Sequence, residues 1–472
     1  MGDQLQQATA EPEVFLYEGG KVAQELRRSL TRVRIGPQVT EIPGAAFRDC
    51  HKLIELQLNE GLQIIGGYAF RGCTSLRSVA IPEGLKFLGT YAFYGCTSLQ
   101  SVKLPSSVVN WGMSAFASCT GLVDLQFNEG LQVIGKGAFQ HCTSLRSATV
   151  PPTVTELDWR AFAHCSSLVE LRLNEGLQVI GKSAFHKCSG LVEVQLNEGL
   201  QFIGEGAFEV CTALRSMALP STVTELGWQA FFGCSGLIEL QLNEGLQIIG
   251  SQAFEDCTSL RSVTVPSTVT KLRAYSFADC RSLTEVILLN GKRLLNHEFF
   301  DCGFWREEQG LLNQEAIVEM LFEGGGFAFD DCPLTAVKIS ISWAVSERMA
   351  RLPHECRLSL EERIHTLNLL ELQQSGNVLV SFPVVRNWDN ETHISTYDVR
   401  DSNHETARSL YHVLQSIAFH ELKESSILIE LAFWKSRIDM GRDRKCRVAV
   451  PGPAKILMME YCGFAGFLRP AF

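Results

Sequence analysis

Apolar positions along the chain recur with a period of 23 residues, from Phe47 to Phe277, without a slip in register. Around each Phe the neighbouring positions repeat as well. A Cys follows three residues later, from Cys50 to Cys280, and a Leu six residues later, from Leu53 to Leu283. Five residues before the Phe stands Ile or Leu, with Trp111 once in their place, and eight before it always Val or Leu. Polar residues fill the spaces between, so every unit has a fixed apolar inside. Segments such as Leu53-Ile54-Glu55-Leu56-Gln57-Leu58 end in an apolar/polar alternation, which predicts a short strand with two apolar residues inward. Gly66, Gly89, Gly112, Gly135, Gly181, Gly204, Gly227 and Gly250 form a further column, suited to positive φ or to close backbone approach. A single coil of this kind buries too little to offset its own ordering entropy, so stability belongs to the stack and the ends need caps.

The coils come in two forms. In one, an acidic strand residue goes with a following Asn-Glu-Gly, as Glu170 does with Asn174-Glu175-Gly176. In the other, Arg-Ser or Gln-Ser goes with a following Pro, as Arg77-Ser78 does with Pro82. The linkage suggests growth by duplication.

The pattern divides the chain into four parts. Residues 1–29 read as an N-terminal tail and cap, with a strand-like Val14-Phe15-Leu16-Tyr17, a Gly19-Gly20 turn and a polar helical stretch through Arg27-Arg28. Residues 30–302 are the array, ending on Phe299 and Cys302, where the period shortens by one. Residues 303–345 read as an insertion, helical around Asn313–Phe322, followed by a degenerate closing coil at Phe329 and Cys332 with a strand through Val337, Ile339 and Ile341. Residues 346–472 read as mainly helical. Ser359 with Glu362 resembles a capping box, Gly376 a helix stop, Val378–Val385 a strand and 386–402 a polar loop. Asn403 can cap a long helix to Lys423; beyond it come a helix at Leu428–Lys435, a strand at Arg447–Val450 and a short helix near Ala454–Tyr461.

The unit written by Ala69-Phe70-Arg71-Gly72-Cys73-Thr74-Ser75-Leu76-Arg77-Ser78-Val79-Ala80-Ile81-Pro82 resembles the BspA-like leucine-rich repeat, whose period falls within about 20–29 residues. It departs from the commonest leucine-rich pattern at Gly61, where that pattern places Asn or Cys. The resemblance implies an α/β repeat fold, a right-handed leucine-rich-repeat solenoid of about 12 coils with short strands, and a role in protein binding. Some relatives are surface adhesins that carry export signals. The layout of cap, array and C-terminal segment is similar to a large family of diatom and algal proteins.

Composition narrows the function classes. With 46% hydrophobic and 20% charged residues and a formal charge of −10, nothing favours a nucleic-acid partner. The opening MGDQLQQATA has no basic and then apolar segment, and no apolar window reaches spanning length, so neither export nor membrane insertion is expected. That reading places the protein in the cytoplasm and its sixteen cysteines in a reducing setting, with the eleven of the column as buried apolar thiols rather than disulfides or a metal ladder. The cluster Arg437, Arg442, Arg444, Lys445 and Arg447 reads as a solvated loop, with a nuclear address as the alternative. His420-Glu421-Leu422-Lys423-Glu424 opens like a zinc-protease helix but lacks the second His, and no phosphate loop, nucleophile elbow or dinucleotide fingerprint occurs.

The resulting expectation is a non-enzymatic, monomeric protein-binding scaffold without metal or cofactor. The alternatives are an adhesion protein exported by an unrecognised route and an enzyme housed in the C-terminal region. Two sets of residues are candidates for partner contact. The first is the outward strand column Gln57, Lys103, Gln126, Arg172, Gln195 and Gln241. The second is Trp159 and Trp228, three residues before the repeat Phe, with Lys182 and Glu205 between them at the same position. Large aromatics at a column otherwise held by Gly67, Thr90 or Ser251 face solvent, where Trp is a frequent interface anchor.

Overall fold

A strand of three residues makes too few ladder bonds to persist alone, so each coil must take its partner from the next. The computed structural model describes residues 14–105, 107–108, 111–127, 129–296, 311–367, 370–389, 394–400 and 410–421. The chain divides into two compact units, Met1–Val286 with Val318–Leu334, and Ile287–Ile317 with Thr335–Phe472. The first is the parallel-strand solenoid. Glu55 and Leu56 lie opposite Ser78 and Val79, these opposite Ser101 and Val102, and these opposite Asp124 and Leu125. A second run of the same ladder goes from Ser147–Thr149 to Glu239–Gln241. Two-residue strands five positions before each Phe build another parallel ladder, continuous from Val133–Ile134 to Lys271–Leu272.

Inside the coils the Phe rings form one stack. From Phe47 to Phe277 they are fully buried, with centroids 5.0–5.8 Å apart and planes within 17°. The backbone ties coils in both directions. The Phe47 N–H donates to the Ala69 carbonyl of the next coil at 2.8 Å, and the Cys73 thiol donates to the Phe47 carbonyl of the previous coil at 3.2 Å. Both bonds recur along the array, the last regular thiol bond running from Cys280 to Phe254 at 3.2 Å. Burial pushes the Cys165 and Cys234 thiols up to about 12, so these groups stay protonated and available as donors. The column therefore uses Cys as a small apolar residue with one buried donor.

The glycine column resolves its two sequence options in favour of close approach. None of these glycines has positive φ, whereas a Cβ built on Gly204 would lie 2.7 Å from the Lys182 backbone nitrogen. Left-handed backbone falls elsewhere, two residues before and two after each Phe, mostly at residues other than glycine: Tyr91 and Gly95, Arg160 and His164, Ser183 and Lys187. Each such residue costs about 1–2 kcal/mol, and those named each donate their N–H to the next coil, as Arg160 does to Lys182 at 3.0 Å and His164 to His186 at 2.7 Å.

The two coil forms solve one problem at one corner. Asn174 Nδ2 donates to the Pro151 and Val154 carbonyls of the previous coil at 2.6 and 2.9 Å. In a proline coil Thr222 Oγ1 does the equivalent, donating to Leu200 O at 2.5 Å. Where the forms alternate they also join, as Ser221 donates its N–H and hydroxyl to Glu198 at 3.1 and 2.9 Å, and Ser267 does so to Glu244.

One coil departs from the rest. Trp111 and Phe127 stand at columns elsewhere aliphatic, and both rings meet Phe139 edge-on at 5.6 Å. The stack opens to 5.8 Å between Phe116 and Phe139, and the strand ladder divides between Gln126 and Ser147.

The first end of the array is closed by Phe15–Tyr17, which pairs in parallel with Val33–Ile35 and sets the Tyr17 ring edge-on to Phe47 at 4.9 Å. The other end is closed by the returning segment. Phe329 stacks on Phe277 at 5.3 Å and Cys332 donates to the Phe277 carbonyl at 3.0 Å. Phe299 and Cys302, expected as the last coil of the period, lie outside the described residues, and the rung beside Phe277 is Phe329.

The second unit corrects several expectations. The strand expected after Cys332 is present as Ala336–Ser340, and it pairs antiparallel with residues 379–383 of the strand Val378–Asp389. The helix His354–His365 begins behind Pro353, whose fixed φ and missing N–H suit a helix start; Ser359 is internal to it. Gly376, with φ of +86°, turns the chain between Leu370–Leu372 and Val378–Asp389 instead of ending a helix. Within the expected loop, Ile394–Val399 is a strand paired antiparallel with Val384–Asp389. Residues 410–421 are helical. The expected elements from 428 onward and the basic cluster at 437–447 lie outside the described residues.

Candidate functional site

On the strand face the inward residue of each short strand is flanked by two outward ones. After Arg32 in the first rung, the first outward column contains acids and serines, among them Glu55, Ser78, Asp124, Glu170, Glu193 and Glu239. The second contains the sequence candidates Gln57, Lys103, Gln126, Arg172, Gln195 and Gln241. Just before the strands runs a third column in which Ile54, Val123, Val169, Val192 and Ile238 are 37–51% exposed, alternating with Arg or polar residues.

Much of this face is already satisfied by itself. Gln57 accepts from Arg34 at 2.8 Å and donates to Glu55 at 2.7 Å; Gln126 donates to Asp124 at 3.1 Å; Arg172 holds Glu170 at 2.6–2.7 Å. One stretch differs. Glu193, Gln195, Ser216, Ala218, Glu239 and Gln241 surround a cavity of about 410 Å³, opened because Ala218 has no bulk between the two glutamines. Among the described residues neither Glu193 nor Glu239 has a side-chain ion pair or hydrogen bond, and Arg215, one column away, reaches neither. Two coils separate the carboxylates, about 10 Å at strand spacing. A cation placed between them would meet two unneutralised acids and two amides.

The tryptophans lie at a different corner of the coil, thirteen positions from the outward glutamines in the repeat. Trp159 is 38% exposed and Trp228 49%. The Arg160 guanidinium lies 4.9 Å from the Trp159 ring centroid, and Trp228 Nε1 donates to Gln252 Oε1 at 2.8 Å. Lys182 and Glu205, between them, form an ion pair with each other. The fold thus brings Gln195 and Gln241 together in one cavity and leaves Trp159 and Trp228 as a separate patch. Sequence reading overlooked the acid and serine column, although its restriction to Glu, Asp and Ser from Glu55 onward is visible in the repeat.

Elsewhere the chemistry is structural. Glu421, within the fragment that opens like a zinc-protease helix, accepts two hydrogen bonds from Arg348 at 2.6 and 3.0 Å. Among the described residues no group of three or more His, Cys, Asp or Glu is arranged to hold a metal, and no helix is long and apolar enough to cross a membrane.

A family profile for BspA type leucine rich repeat regions matches residues 40–169 and 158–284, together just over half of the chain. Among solved structures, a leucine-rich repeat protein from Bacteroides ovatus is 27% identical, covers 58% of this chain and 80% of its own, and superposes with a TM-score of 0.50. A leucine rich cell surface protein from Faecalibacterium prausnitzii is 23% identical over 54% of this chain and 80% of its own, with a TM-score of 0.37. The leucine rich repeat protein of T. pallidum is 33% identical over 39% of this chain and 77% of its own, with a TM-score of 0.30. No curated protein matches the chain.

Proposed function

Because the chain belongs to the BspA-type leucine-rich-repeat family, we propose that it is a non-enzymatic scaffold that binds a protein partner on its strand face, between Glu193 and Gln241. The observation that carries this reading is the pair of unneutralised carboxylates around an open cavity, on a face whose other acids are mostly occupied. A Lys or Arg side chain fits the cavity chemically, with Val192 and Ile238 beside it as apolar contact surface. Nucleic acid is disfavoured by the same acids. In this reading the protein acts as a monomer in a reducing compartment such as the cytoplasm, where its columnar thiols stay free.

Charge reversal tests the site. Glu193→Lys with Glu239→Lys should abolish capture of Lys- and Arg-bearing peptides from an immobilised library, with an unchanged melting temperature. Glu170→Gln, whose partner is Arg172, should leave capture intact. Equal binding by all three proteins removes the strand face from the reading.

The exposure of Trp159 and Trp228 favours a second contact patch. Replacing both with Ala should weaken partner capture while melting is retained. Lost stability with unchanged binding would assign the indoles to packing through Arg160 and Gln252.

A further inference from the structure

A second cavity, of about 440 Å³, lies on the Phe side of the coils, away from the strand face. It exists because one coil lacks bulk. In the columns two before, one after and two after the Phe, the coil of Phe116 carries Ser114, Ala117 and Ser118. The coil before it contributes Tyr91 and Tyr94, and the coil after it Gln140 and His141.

The first wall is aromatic and rigid. Tyr68 stacks on one face of Tyr91 at 5.2 Å, and Tyr94 stands edge-on to it at 5.4 Å. Arg71 is held by the rings, 5.8 Å from Tyr68 and 5.5 Å from Tyr94. The other side of Tyr91 looks across the small residues of the Phe116 coil. The floor presents the hydroxyls of Ser114 and Ser118, and the far wall an amide and an imidazole. Burial, with Arg160 nearby, lowers the His141 pKa, so that ring is neutral near pH 7 and both donates and accepts. No carboxylate lines the cavity, and its one formal charge is Arg71.

This combination selects among ligands. A planar apolar group would strand two hydroxyls and an amide against it. A phosphate calls for converging N–H donors or several cations, and here a single guanidinium already lies over two rings. An extended peptide calls for a groove, whereas Tyr91 with Tyr94 and Gln140 with His141 close this notch along the stack. A saturated ring with one apolar face and many hydroxyls answers every wall, and the volume falls within the usual range of about 300–1,000 Å³ for small-molecule sites.

We propose that this notch is a saccharide site, taking one pyranose ring against Tyr91 with its hydroxyls toward Ser114, Ser118, Gln140 and His141, and preferring a ring whose carboxylate meets Arg71. The site is independent of the strand face. Two substitutions alter it with side chains the array already uses at the same columns. Ser118→His fills the notch as His141 fills the next coil, and Tyr94→Ala removes a wall as Ala117 does.

The test is saturation-transfer NMR and titration calorimetry on the full chain, with a glucuronic-acid-containing disaccharide, the matching glucose disaccharide and a tyrosine tripeptide as probes. The expected result is binding of both sugars, the acidic one tighter, with each substitution weakening it by about tenfold or more at unchanged melting temperature. Arg71→Gln should remove the preference for the acidic sugar and keep the neutral one bound. Glu193→Lys should change none of this. The proposal is overturned by no transfer to either sugar at millimolar concentration, by sugar binding that survives both substitutions, or by the tripeptide binding in their place.

Discussion

Two stretches of the same stack, Phe208 to Phe277 and Phe116 to Phe139, share every repeat column yet differ in how tightly the columns close. In the first the rings lie 5.0–5.2 Å apart and the two-residue strand ladder runs unbroken from Glu225–Leu226 to Lys271–Leu272. In the second the rings stand 5.8 Å apart with Trp111 and Phe127 edge-on to Phe139, and among the described residues the two-residue ladder is interrupted between Leu88 and Val133 save for a single bridge from Leu88 to Trp111. The difference teaches that two oversized rings at aliphatic columns are accommodated by the widest step of the stack and by a local interruption of the two-residue ladder. It also coincides with function-like surface: the coil with oversized residues inside is the coil with undersized residues outside, at the notch.

The largest expected effect breaks the tight stretch. Phe208→Ala should cost about 3–5 kcal/mol, the usual range for a buried ring, measured by chemical denaturation. Phe116→Ala should cost visibly less, because Trp111, 6.3 Å away, can settle into the gap. Equal costs would mean that the wider spacing leaves no freedom.

A smaller effect probes the same contrast at the backbone. Gly204→Ala places a Cβ 2.7 Å from backbone of the neighbouring coil, whereas Gly135→Ala meets nothing nearer than 3.8 Å, at the Trp111 carbonyl. The first should lose about 1–3 kcal/mol; the second should be neutral or gain about 0.4–1 kcal/mol from a less flexible unfolded chain. Comparable melting temperatures for the two would refute close backbone approach as the reason for the glycine column.

The smallest effect separates the stretches by pH. His141 and His164 stack at 4.2 Å just after the wide step, while the same column later holds Val210, Gly233 and Asp256. Burial first, then the charges of His141, His186, Lys187 and Arg160, lower the His164 pKa from 6.5 to about 4. Between those values the unfolded chain binds the proton and the folded chain does not, so stability falls as pH falls. His164→Asn should flatten the decline in melting temperature between pH 6.5 and 4; an identical slope would exclude this ladder as its source.

Periodicity made the interior legible, because a residue repeated at every coil must meet its own copy in the next. Phe, Cys and Leu columns, the inward strand residues and the exposed tryptophan column follow from that alone. Departures from the period were harder to interpret. Trp111 is visible as an exception, but its widening of the stack depends on Phe127 sixteen positions on. The notch is made of Ser114, Ala117 and Ser118, and small residues in variable columns carry no pattern. The cavity by Glu193 depends on which acids find cations, which is set by side-chain reach rather than by column. In the second unit, Ile394–Val399 breaks any alternation at Ser395-Thr396 inside a polar region, and only its pairing with Val384–Asp389 identifies it as a strand.

The closing rung carries a consequence for how the chain is made. Cys332 reaches back 55 residues to the Phe277 carbonyl, and Phe329 supplies the ring that covers Phe277. During synthesis every coil up to Phe277 can dock on its predecessor as it leaves the ribosome, yet the growing end stays open until this distant segment has been translated. Nascent chains halted between Phe277 and Cys332 would therefore display a bare aromatic face and a row of unpaired strand edges, the form most in need of a chaperone.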